Sequence, residues 1–467
     1  MTDSRNFTRR EFIGSAAASA AFSIVPRHTL GGPGYVPPSD KLTIGYVGCG
    51  TQGMREMVRL IQNPEIQIVS VCDPNKFTTD YVDWSLHGIR NSIREALDDD
   101  SWAEGVEGIP GGRDIGQDFV QRYYGKNTPG GTYKGCPSYE DFREMFEEEQ
   151  DIDAIKVMTP DHLHATISIA AIRKGMHVVI HKPIANRLDE AGKVFAVARE
   201  HPEVSTHLLA WSIRPGYERA LAWIKDGAIG KLKEIHNWSN RPVWPQFTSN
   251  PSESVPIPKG FNWDLWLGCV PDRPYHPDYT HALFRGWYEF GGGSIADMGH
   301  YSLWPLFLSF GITRPPVSIE ARGTTTSAVN NHVSRPHVND VAFPASCVVR
   351  FKFPEQDDLS AFELYWHDGG MKPPTPDELE EDNLELEREG MLFVGDKGKI
   401  LAGFRGQDPR IIPERKMKEY LDGKELPDQE SDRSDKYWIN AFKNRTQGPG
   451  SFWHAETVTE TTNLGAV

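Results

Sequence analysis

A glycine-rich turn between an apolar strand and an amphipathic helix is the feature that most constrains this fold. In "KLTIGYVGCGTQG" a short apolar run, 42–47, leads into Gly48, Gly50 and Gly53. A helical pattern follows, and a second apolar run, "IQIVSVCDPN", ends in Asp73, 25 positions after the first glycine. Such a glycine pattern is strong evidence when it lies between a strand and a helix and an acid follows about 20 residues on. The stretch therefore predicts the first β-α-β unit of a dinucleotide-binding domain.

Each residue of the turn has a predicted role toward a dinucleotide. Gly48 permits the tight turn, Gly50 lets the backbone approach the pyrophosphate, and Gly53 lets the helix pack closely. Thr51 and Gln52 begin the helix, whose free N–H groups bind the anion. The carboxylate that ends the second strand is expected to accept hydrogen bonds from the adenosine ribose hydroxyls. It would repel a 2′-phosphate, so NAD is the predicted cofactor and NADP is less favoured.

The rest of the first 211 residues alternates between strand and helix patterns. After a Gly- and Pro-rich excursion (84–135) with a predicted helix around 119–124, helix and strand patterns alternate from 139 to 181. This alternation predicts a parallel sheet, in which ligands bind beyond the carboxyl ends of the strands. Thr159, Pro160, His162 and Lys182 follow such ends, so they are expected to converge with the glycine turn on one crevice.

From about residue 212 the pattern changes. Runs such as "VSIEARGTTT", "ASCVVRFKF", "LSAFELYWH" and "GMLFVGDKGKILAG" predict a second, α+β domain on a large, mostly antiparallel sheet. The predicted organisation is an α/β chain with a Rossmann NAD-binding domain at 40–211 and a substrate and oligomerisation domain at 212–467.

Composition excludes several other classes of protein. The formal net charge of −15 disfavours nucleic acid as a partner, because phosphate binding needs a basic face. A hydrophobic content of 38% and a charged content of 25% are typical of a globular protein in water. Five cysteines without C-x-x-C spacing predict reduced thiols and neither a disulfide framework nor a metal site.

The first 35 residues predict an export signal. "TRREFIGSAAASAAFSIV" resembles a twin-arginine signal, with Arg9 and Arg10 before a short apolar run. That run is shorter than the roughly 18 residues of a membrane span, so the mature protein is expected to have no stable span. Because the signal directs export, the protein is expected to act in the periplasm. The sequence ends in "TTNLGAV" within a helical pattern, so the natural chain is expected to continue further.

Five motifs together resemble one family. "IGYVGCGTQG", "VCDPN", "TPDHLHA", "HVVIHKPIA" and "GGGSIADMGH" occur in the order found in the Gfo/Idh/MocA oxidoreductases. The resemblance implies NAD(P)-linked redox chemistry at a carbinol of a sugar, glycoside or cyclitol. The partner is therefore expected to be a small carbohydrate or polyol, and the protein a homo-oligomer, either a dimer or a tetramer.

The resemblance also implies the catalytic groups. The family carries Glu-Lys-Pro where this chain has His181 and Lys182, and the lysine there contacts both substrate and nicotinamide. Beside a cationic ring and partly desolvated, that lysine is expected to have a lowered pKa suited to acid–base work. His181 would adjust this pKa, contact the cofactor, or have no effect on either. Asp297 matches the family's second motif, but its histidine, His300, comes three residues on and Tyr301 occupies the fourth position. Both face the same side of a helix, so His300 is preferred as the acid–base partner and Tyr301 is the substitute.

The remaining candidates are weaker. His162 and His164 follow a strand end where the family contacts the nicotinamide half of the cofactor, although a histidine there is often structural. Side chains that could line a sugar site, or equally serve packing, are Trp211, Arg214, Tyr217, His276, Arg285 and Trp287. Three functions remain open: net hydride transfer, glycoside cleavage with transient oxidation and no net redox change, and sugar binding without catalysis.

Overall fold

The structure is a computed structural model that describes residues 40–126, 131–337, 339–356, 358–423, 426 and 430–467. The predicted export signal in residues 1–35 lies outside the described residues. No helix in the described part of the chain combines the length and apolar character needed to span a bilayer.

The first domain contains six parallel strands. They are β1 (Leu42–Val47), β2 (Ile66–Cys72), β3 (Ser138–Tyr139), β4 (Ala154–Val157), β5 (His177–Ile180) and β6 (Thr206–Leu208). Their order is β3-β2-β1-β4-β5-β6. Because the chain reverses its direction across the sheet beside β1, a crevice opens there at the strand ends. The predicted Rossmann-type sheet is confirmed.

Helices cover both faces of this sheet. They are α1 (Thr51–Leu60), α2 (Gly88–Leu97), α3 (Arg113–Gly125), α4 (Phe142–Glu148), α5 (His164–Arg173) and α6 (Leu188–Glu200). Helix α1 buries Met54, Met57 and Val58, which recur at helical spacing. The Gly- and Pro-rich excursion contains α2 and α3, and the helix predicted around 119–124 is part of α3.

The second domain contains a seven-stranded sheet and a separate hairpin. The strands are β7 (Leu232–Trp238), β8 (Ser318–Gly323), β9 (Thr326–Asn330), β10 (Val333–His337), β11 (Cys347–Phe353), β12 (Phe362–His367), β13 (Gly390–Gly395), β14 (Lys399–Ala402) and β15 (Arg410–Ile412). The sheet order is β15-β14-β13-β7-β12-β11-β8, and β9 pairs with β10. Within the sheet, β7 and β12 pair in parallel and the other pairs are antiparallel. The predicted, mostly antiparallel sheet is confirmed.

Seven helices complete the described chain's second domain. They are α7 (Pro215–Lys225), α8 (Trp263–Leu267), α9 (Gly293–Phe310), α10 (Asp377–Glu381), α11 (Glu414–Leu421), α12 (Lys436–Lys443) and α13 (Glu456–Ala466). Helix α9 is apolar on most sides and lies between α7 and α13 in the core. Its N-terminal half faces the carboxyl ends of the first sheet.

The chain returns to the first domain near its end. Helix α12 packs Trp438 and Phe442 into the core that lies against β1 and α1. Asp435, just before α12, pairs with Arg59 of α1 at 2.6 Å. The predicted boundary at residue 211 falls between β6 and α7. The domain limits 40–211 and 212–467 themselves stay a prediction.

Candidate active site

The glycine turn after β1 admits no larger residue. Gly48 has a φ of +101°, which disfavours every residue with a Cβ. A Cβ on Gly48 would lie 2.6 Å from the backbone carbonyl of Met158, and one on Gly53 would lie 2.1 Å from the oxygen of Gly48. Because neither glycine has a side chain, the start of α1 can lie close to the end of β4.

The N-terminus of α1 is free to bind an anion. Gly50 is its N-cap, has no side chain to cap the helix, and the first turn contains no acid. The first N–H groups of a helix lack partners within the helix, and its dipole favours negative charge there. The turn and α1 together fit the pyrophosphate of a dinucleotide.

Asp73 lies where β2 ends. Its two carboxylate oxygens accept hydrogen bonds from the backbone N–H groups of Cys49, at 2.7 Å, and Asn75, at 2.8 Å. Burial raises its pKa to about 6. The oxygens have further lone pairs, and the side chain lines the cavity beside the glycine turn. This placement fits a ribose-binding carboxylate.

A first cavity of about 800 Å³ brings most of the predicted cofactor residues together. These are Gly48, Gly50, Thr51, Gln52, Gly53, Asp73, Thr159, Pro160 and His181. Tyr81, Thr280, His281, Ala282 and Phe284 also line it, and sequence reasoning missed them, whereas Arg285, which lines it too, was a sugar-site candidate. The ring centroid of Tyr81 lies 4.2 Å from that of His281, so the two domains meet over the cavity.

The structure does not place His162 or His164 in this cavity. The Nε2 atom of His162 lies 2.8 Å from the carbonyl of Trp266, and burial lowers its pKa to about 4. His164 contacts the carbonyl oxygens of Thr159, at 2.9 Å, and Pro183, at 2.5 Å. The prediction that His162 contacts the cofactor is corrected: its ring is held within the packing between α8 and the strand end.

Lys182 and Asp297 form a buried ion pair between the two domains. Lys182 follows β5, lies 2% exposed, and donates to Oδ1 of Asp297 in α9. The Nε atom of Arg285 lies 3.1 Å from the same oxygen, and that of Arg241 lies 3.4 Å from the other oxygen. One carboxylate therefore faces three cations.

This pairing sets the charge of both groups. Burial lowers the pKa of Lys182, and the Asp297 carboxylate opposes that shift. Burial alone would raise the pKa of Asp297, but the charges of Lys182 and Arg285 hold it well below its usual value. The carboxylate stays ionised, and the ammonium is poised to release a proton more readily than an exposed lysine.

Tyr301, and not His300, faces this pair. The Tyr301 hydroxyl lies 3.0 Å from Nε2 of His181, and Lys182 Nζ lies 5.5 Å from the centroid of the Tyr301 ring. Burial lowers the pKa of His181 well below its usual value, and the charge of Lys182 lowers it further, so the ring is neutral.

His300 points into the core. Its Nε2 atom lies 3.3 Å from Oγ1 of Thr459 in α13, and burial lowers its pKa to about 3. The preference for His300 as the acid–base partner is corrected, because its side chain lines neither cavity; Tyr301 occupies the place expected of the partner.

A second cavity of about 1170 Å³ adjoins the first. Thr51, Gln52, His181, Ala282 and Arg285 line both. Lys182, Asp297 and Tyr301 line the second cavity, which is large enough for a saccharide.

The other sugar-site candidates divide. Arg285 lines both cavities, whereas Trp211, Tyr217 and Trp287 are buried in the packed cores. His276 lies elsewhere on the surface, against a small separate cavity. In the described ranges no group of three or more His, Cys, Asp or Glu side chains is arranged to hold a metal ion.

Models of one protein family match residues in each of the two domains. One family model, the Gfo/Idh/MocA oxidoreductase family NAD-binding Rossmann fold, matches residues 131–207. A second, the C-terminal alpha/beta domain of the same oxidoreductase family, matches residues 221–335.

Curated relatives match over part of their length. Levoglucosan dehydrogenase of Pseudarthrobacter phenanthrenivorans is 31% identical over 115 residues, which cover 23% of this chain and 29% of that protein. A dTDP-3,4-didehydro-2,6-dideoxy-alpha-D-glucose 3-reductase of Actinomadura kijaniata is 30% identical over 139 residues, which cover 30% of this chain and 39% of that protein. The chain therefore spans well under half the length of these relatives.

Among solved structures, the WlbA dehydrogenase from Bordetella pertussis, in complex with NADH and UDP-GlcNAcA, is 16% identical with a TM-score of 0.49. The match covers 91% of this chain and 95% of that chain.

Proposed function

We propose that this chain, which two models of the Gfo/Idh/MocA oxidoreductase family match at residues 131–207 and 221–335, transfers a hydride between NAD and a hydroxyl-bearing carbon of a sugar, glycoside or cyclitol. The observation that carries the proposal is the Lys182–Asp297 pair. It lines the saccharide-sized cavity at the point where this cavity meets the glycine-turn cavity.

The residues of the first cavity fit the cofactor. When bound, NAD supplies the hydride acceptor at carbon 4 of its nicotinamide ring. The N–H groups at the start of α1 bind the pyrophosphate, and Asp73 accepts hydrogen bonds from the ribose hydroxyls. NAD is preferred over NADP because the same carboxylate would repel a 2′-phosphate. The rings of Tyr81 and His281, 4.2 Å apart, bring the two domains together at the wall of this cavity.

The residues of the second cavity handle the proton. Lys182 hydrogen-bonds the substrate hydroxyl and, in its neutral form, accepts the proton that the hydroxyl loses on oxidation. Asp297 fixes the position of the lysine and raises its basicity. The Tyr301 hydroxyl, held by His181, is the second group that can donate to the reacting oxygen.

The proposal is tested with a panel of sugars, glycosides and cyclitols, each with NAD and with NADP, followed by absorbance at 340 nm and product mass spectrometry. K182M is expected to retain NAD binding and to lower turnover about 10²-fold or more. K193M, at an exposed lysine of α6 that pairs with Asp189, is the matched control. Full activity of K182M would contradict the proposal.

A second candidate function is redox-neutral glycoside cleavage, with transient oxidation, elimination and re-reduction. The twin-arginine motif at Arg9 and Arg10 favours it, because free NAD is scarce outside the cytoplasm and a bound cofactor that is regenerated in each cycle avoids that scarcity. Release of nitrophenol from p-nitrophenyl glycosides without net NADH would support it. Saccharide binding with neither reaction would instead indicate a binding protein.

We also propose that the chain is exported by the twin-arginine pathway, acts in the periplasm and forms a homo-oligomer, a dimer or a tetramer. Arg9 and Arg10 before a short apolar run support the export. Replacing both arginines with lysine is expected to retain the protein in the cytoplasm, which cell fractionation measures. Light scattering of the purified protein measures the subunit count.

A further inference from the structure

The second cavity is basic in an acidic protein. Its lining contains six cationic side chains, Arg55, Lys182, Arg241, Arg285, Arg405 and Arg433, against three carboxylates, Glu56, Asp83 and Asp297. The whole chain has a net charge of −15. A cavity that concentrates charge of the opposite sign attracts a ligand that the rest of the surface would repel.

Two of the three carboxylates, Asp83 and Glu56, form ion pairs with residues other than Lys182, Arg241 and Arg285. Asp83 receives both ion-pair contacts of Arg55, at 2.6 and 2.8 Å. Glu56 pairs with Arg59, at 2.8 Å, and lies 3.7 Å from Nζ of the buried Lys156. Lys182, Arg241 and Arg285 share the third carboxylate, Asp297. None of the three carboxylates in the described lining is therefore left to pair with the remaining two arginines.

Those two arginines form one wall of the cavity. The guanidinium of Arg405 lies 4.7 Å from the centroid of the Tyr301 ring, and Arg433 is exposed at the same cavity. Arg214 lies beside them: burial lowers its pKa, and the charges of Arg405 and Arg433 lower it further. Among the described residues, no carboxylate forms an ion pair with any of the three.

Like charges held close together repel one another, and a bound anion relieves that repulsion. A guanidinium presents planar donors that match a carboxylate or a sulfate in two parallel hydrogen bonds. The contact of Arg405 with the ring of Tyr301 places this wall next to the groups proposed to act on the substrate.

We propose that Arg405 and Arg433 bind an anionic group on the saccharide, so that the substrate is an acidic sugar, either a uronic acid or a sulfate ester. The inference rests on the proposed function, because it assigns the substrate class of the same cavity. The carboxylate or sulfate would lie at the arginine wall while the reacting hydroxyl meets Lys182.

The test uses matched trios of methyl glycosides, each comprising a neutral hexoside, its uronic acid and its 6-sulfate, in the gluco, galacto and manno series. The ratio of kcat/KM for the anionic sugar to that for the neutral sugar is measured for the wild type, R433Q and R405Q/R433Q. R410Q, an exposed arginine of β15 outside the cavity, removes the same charge and is the control.

In at least one series the wild type is expected to prefer one anionic form at least about tenfold, since the anion accepts hydrogen bonds from charged donors. R433Q is expected to lower the ratio about fivefold, and the double variant further, while R410Q leaves it unchanged. The form preferred, uronic acid or sulfate, identifies the anion. A wild-type preference for neutral sugars in every series, or a ratio that both variants leave unchanged, would overturn the inference.

Calorimetry separates this inference from the proposed function. The NADH-loaded wild type and R433Q are titrated with the same trios. If no sugar is oxidised, tighter binding of an anionic form that R433Q abolishes still supports the arginine wall. Equal binding of neutral and anionic forms refutes it, whatever the turnover.

Discussion

Replacing Asp297 with asparagine tests the proposed acid–base pair most directly. The substitution keeps the shape of the side chain and removes the charge that faces Lys182, Arg241 and Arg285. Asp297 is the largest influence that raises the pKa of Lys182, against burial and the charge of Arg285, which lower it; Asp161 raises it to a lesser extent. Loss of Asp297 should therefore lower that pKa further.

The size and direction of the effect follow from the geometry. An opposite charge within about 4–6 Å shifts a pKa by about 1–3 units, equivalent to about 1.4–4 kcal/mol. Oxidation needs neutral Lys182, whose fraction rises as the pH passes through its pKa. The acid limb of kcat against pH for sugar oxidation should therefore move about 1–3 units toward lower pH in D297N.

D297N should also lower the free energy of unfolding. D297N leaves buried cations without their carboxylate, and breaking such a pair costs about 3–5 kcal/mol. Denaturant unfolding at one fixed pH measures this loss, and NADH titration checks that the variant still folds and binds cofactor.

D83N is the matched control, because Asp83 lines the same cavity but pairs with Arg55. Its acid limb should stay in place. A D297N limb that stays at the wild-type pH would refute Lys182 as the proton acceptor. A limb that moves equally in both variants would show that the shift is a general electrostatic effect.

Three further predictions concern the other site residues. Y301F should lower kcat about tenfold, whereas H300N should leave kcat within about threefold and lower the free energy of unfolding by about 1 kcal/mol. Steady-state kinetics measure kcat and urea unfolding measures stability. A larger loss of kcat in H300N than in Y301F would restore His300 as the partner. G48A should weaken NADH binding and lower the free energy of unfolding by more than about 1 kcal/mol, because its Cβ would meet the Met158 carbonyl, and fluorescence titration and urea unfolding measure the two effects. D73N should raise the ratio of kcat/KM for NADP to that for NAD by about tenfold or more, and an unchanged ratio would remove Asp73 from the ribose site.

The parts of the fold that depend on local pattern could be predicted from the sequence. The strand expected at 42–47 is β1, and the alternating patterns expected from 139 to 181 contain β4 and β5. The run "ASCVVRFKF" contains β11. These segments are apolar or alternate over several residues, and burial of that pattern in a sheet determines their conformation.

Long-range packing could not be predicted in the same way. Helix α12 lies over two hundred residues after β6, yet Trp438 packs into the core beside β1. The helical pattern shows which face of α12 is apolar, but not which domain covers it. Likewise, the alternation in β7 and β12 predicts strands without indicating that the two pair in parallel.

The candidate site divides along the same line. The glycine turn, Asp73 and the lysine after β5 belong to short motifs whose geometry is local, and they were predicted. Tyr81, His281 and Arg405 come from loops that only the folded chain brings to the cavities. No spacing in the sequence connects these loops, so the cover of the first cavity and the basic wall of the second had no local signal.

The exchange of His300 for Tyr301 shows how far helical periodicity can decide a role. Successive residues of an α-helix turn by about 100°, so His300 lies about 60° to one side of Asp297 and Tyr301 about 40° to the other. Both count as the same face, and spacing cannot separate them. The choice is made by what packs on each side: α13 brings Thr459 to the histidine, whereas the end of β5 brings His181 to the tyrosine. The Tyr301 hydroxyl lies 3.0 Å from Nε2 of His181, so the two departures from the family pattern meet in one contact.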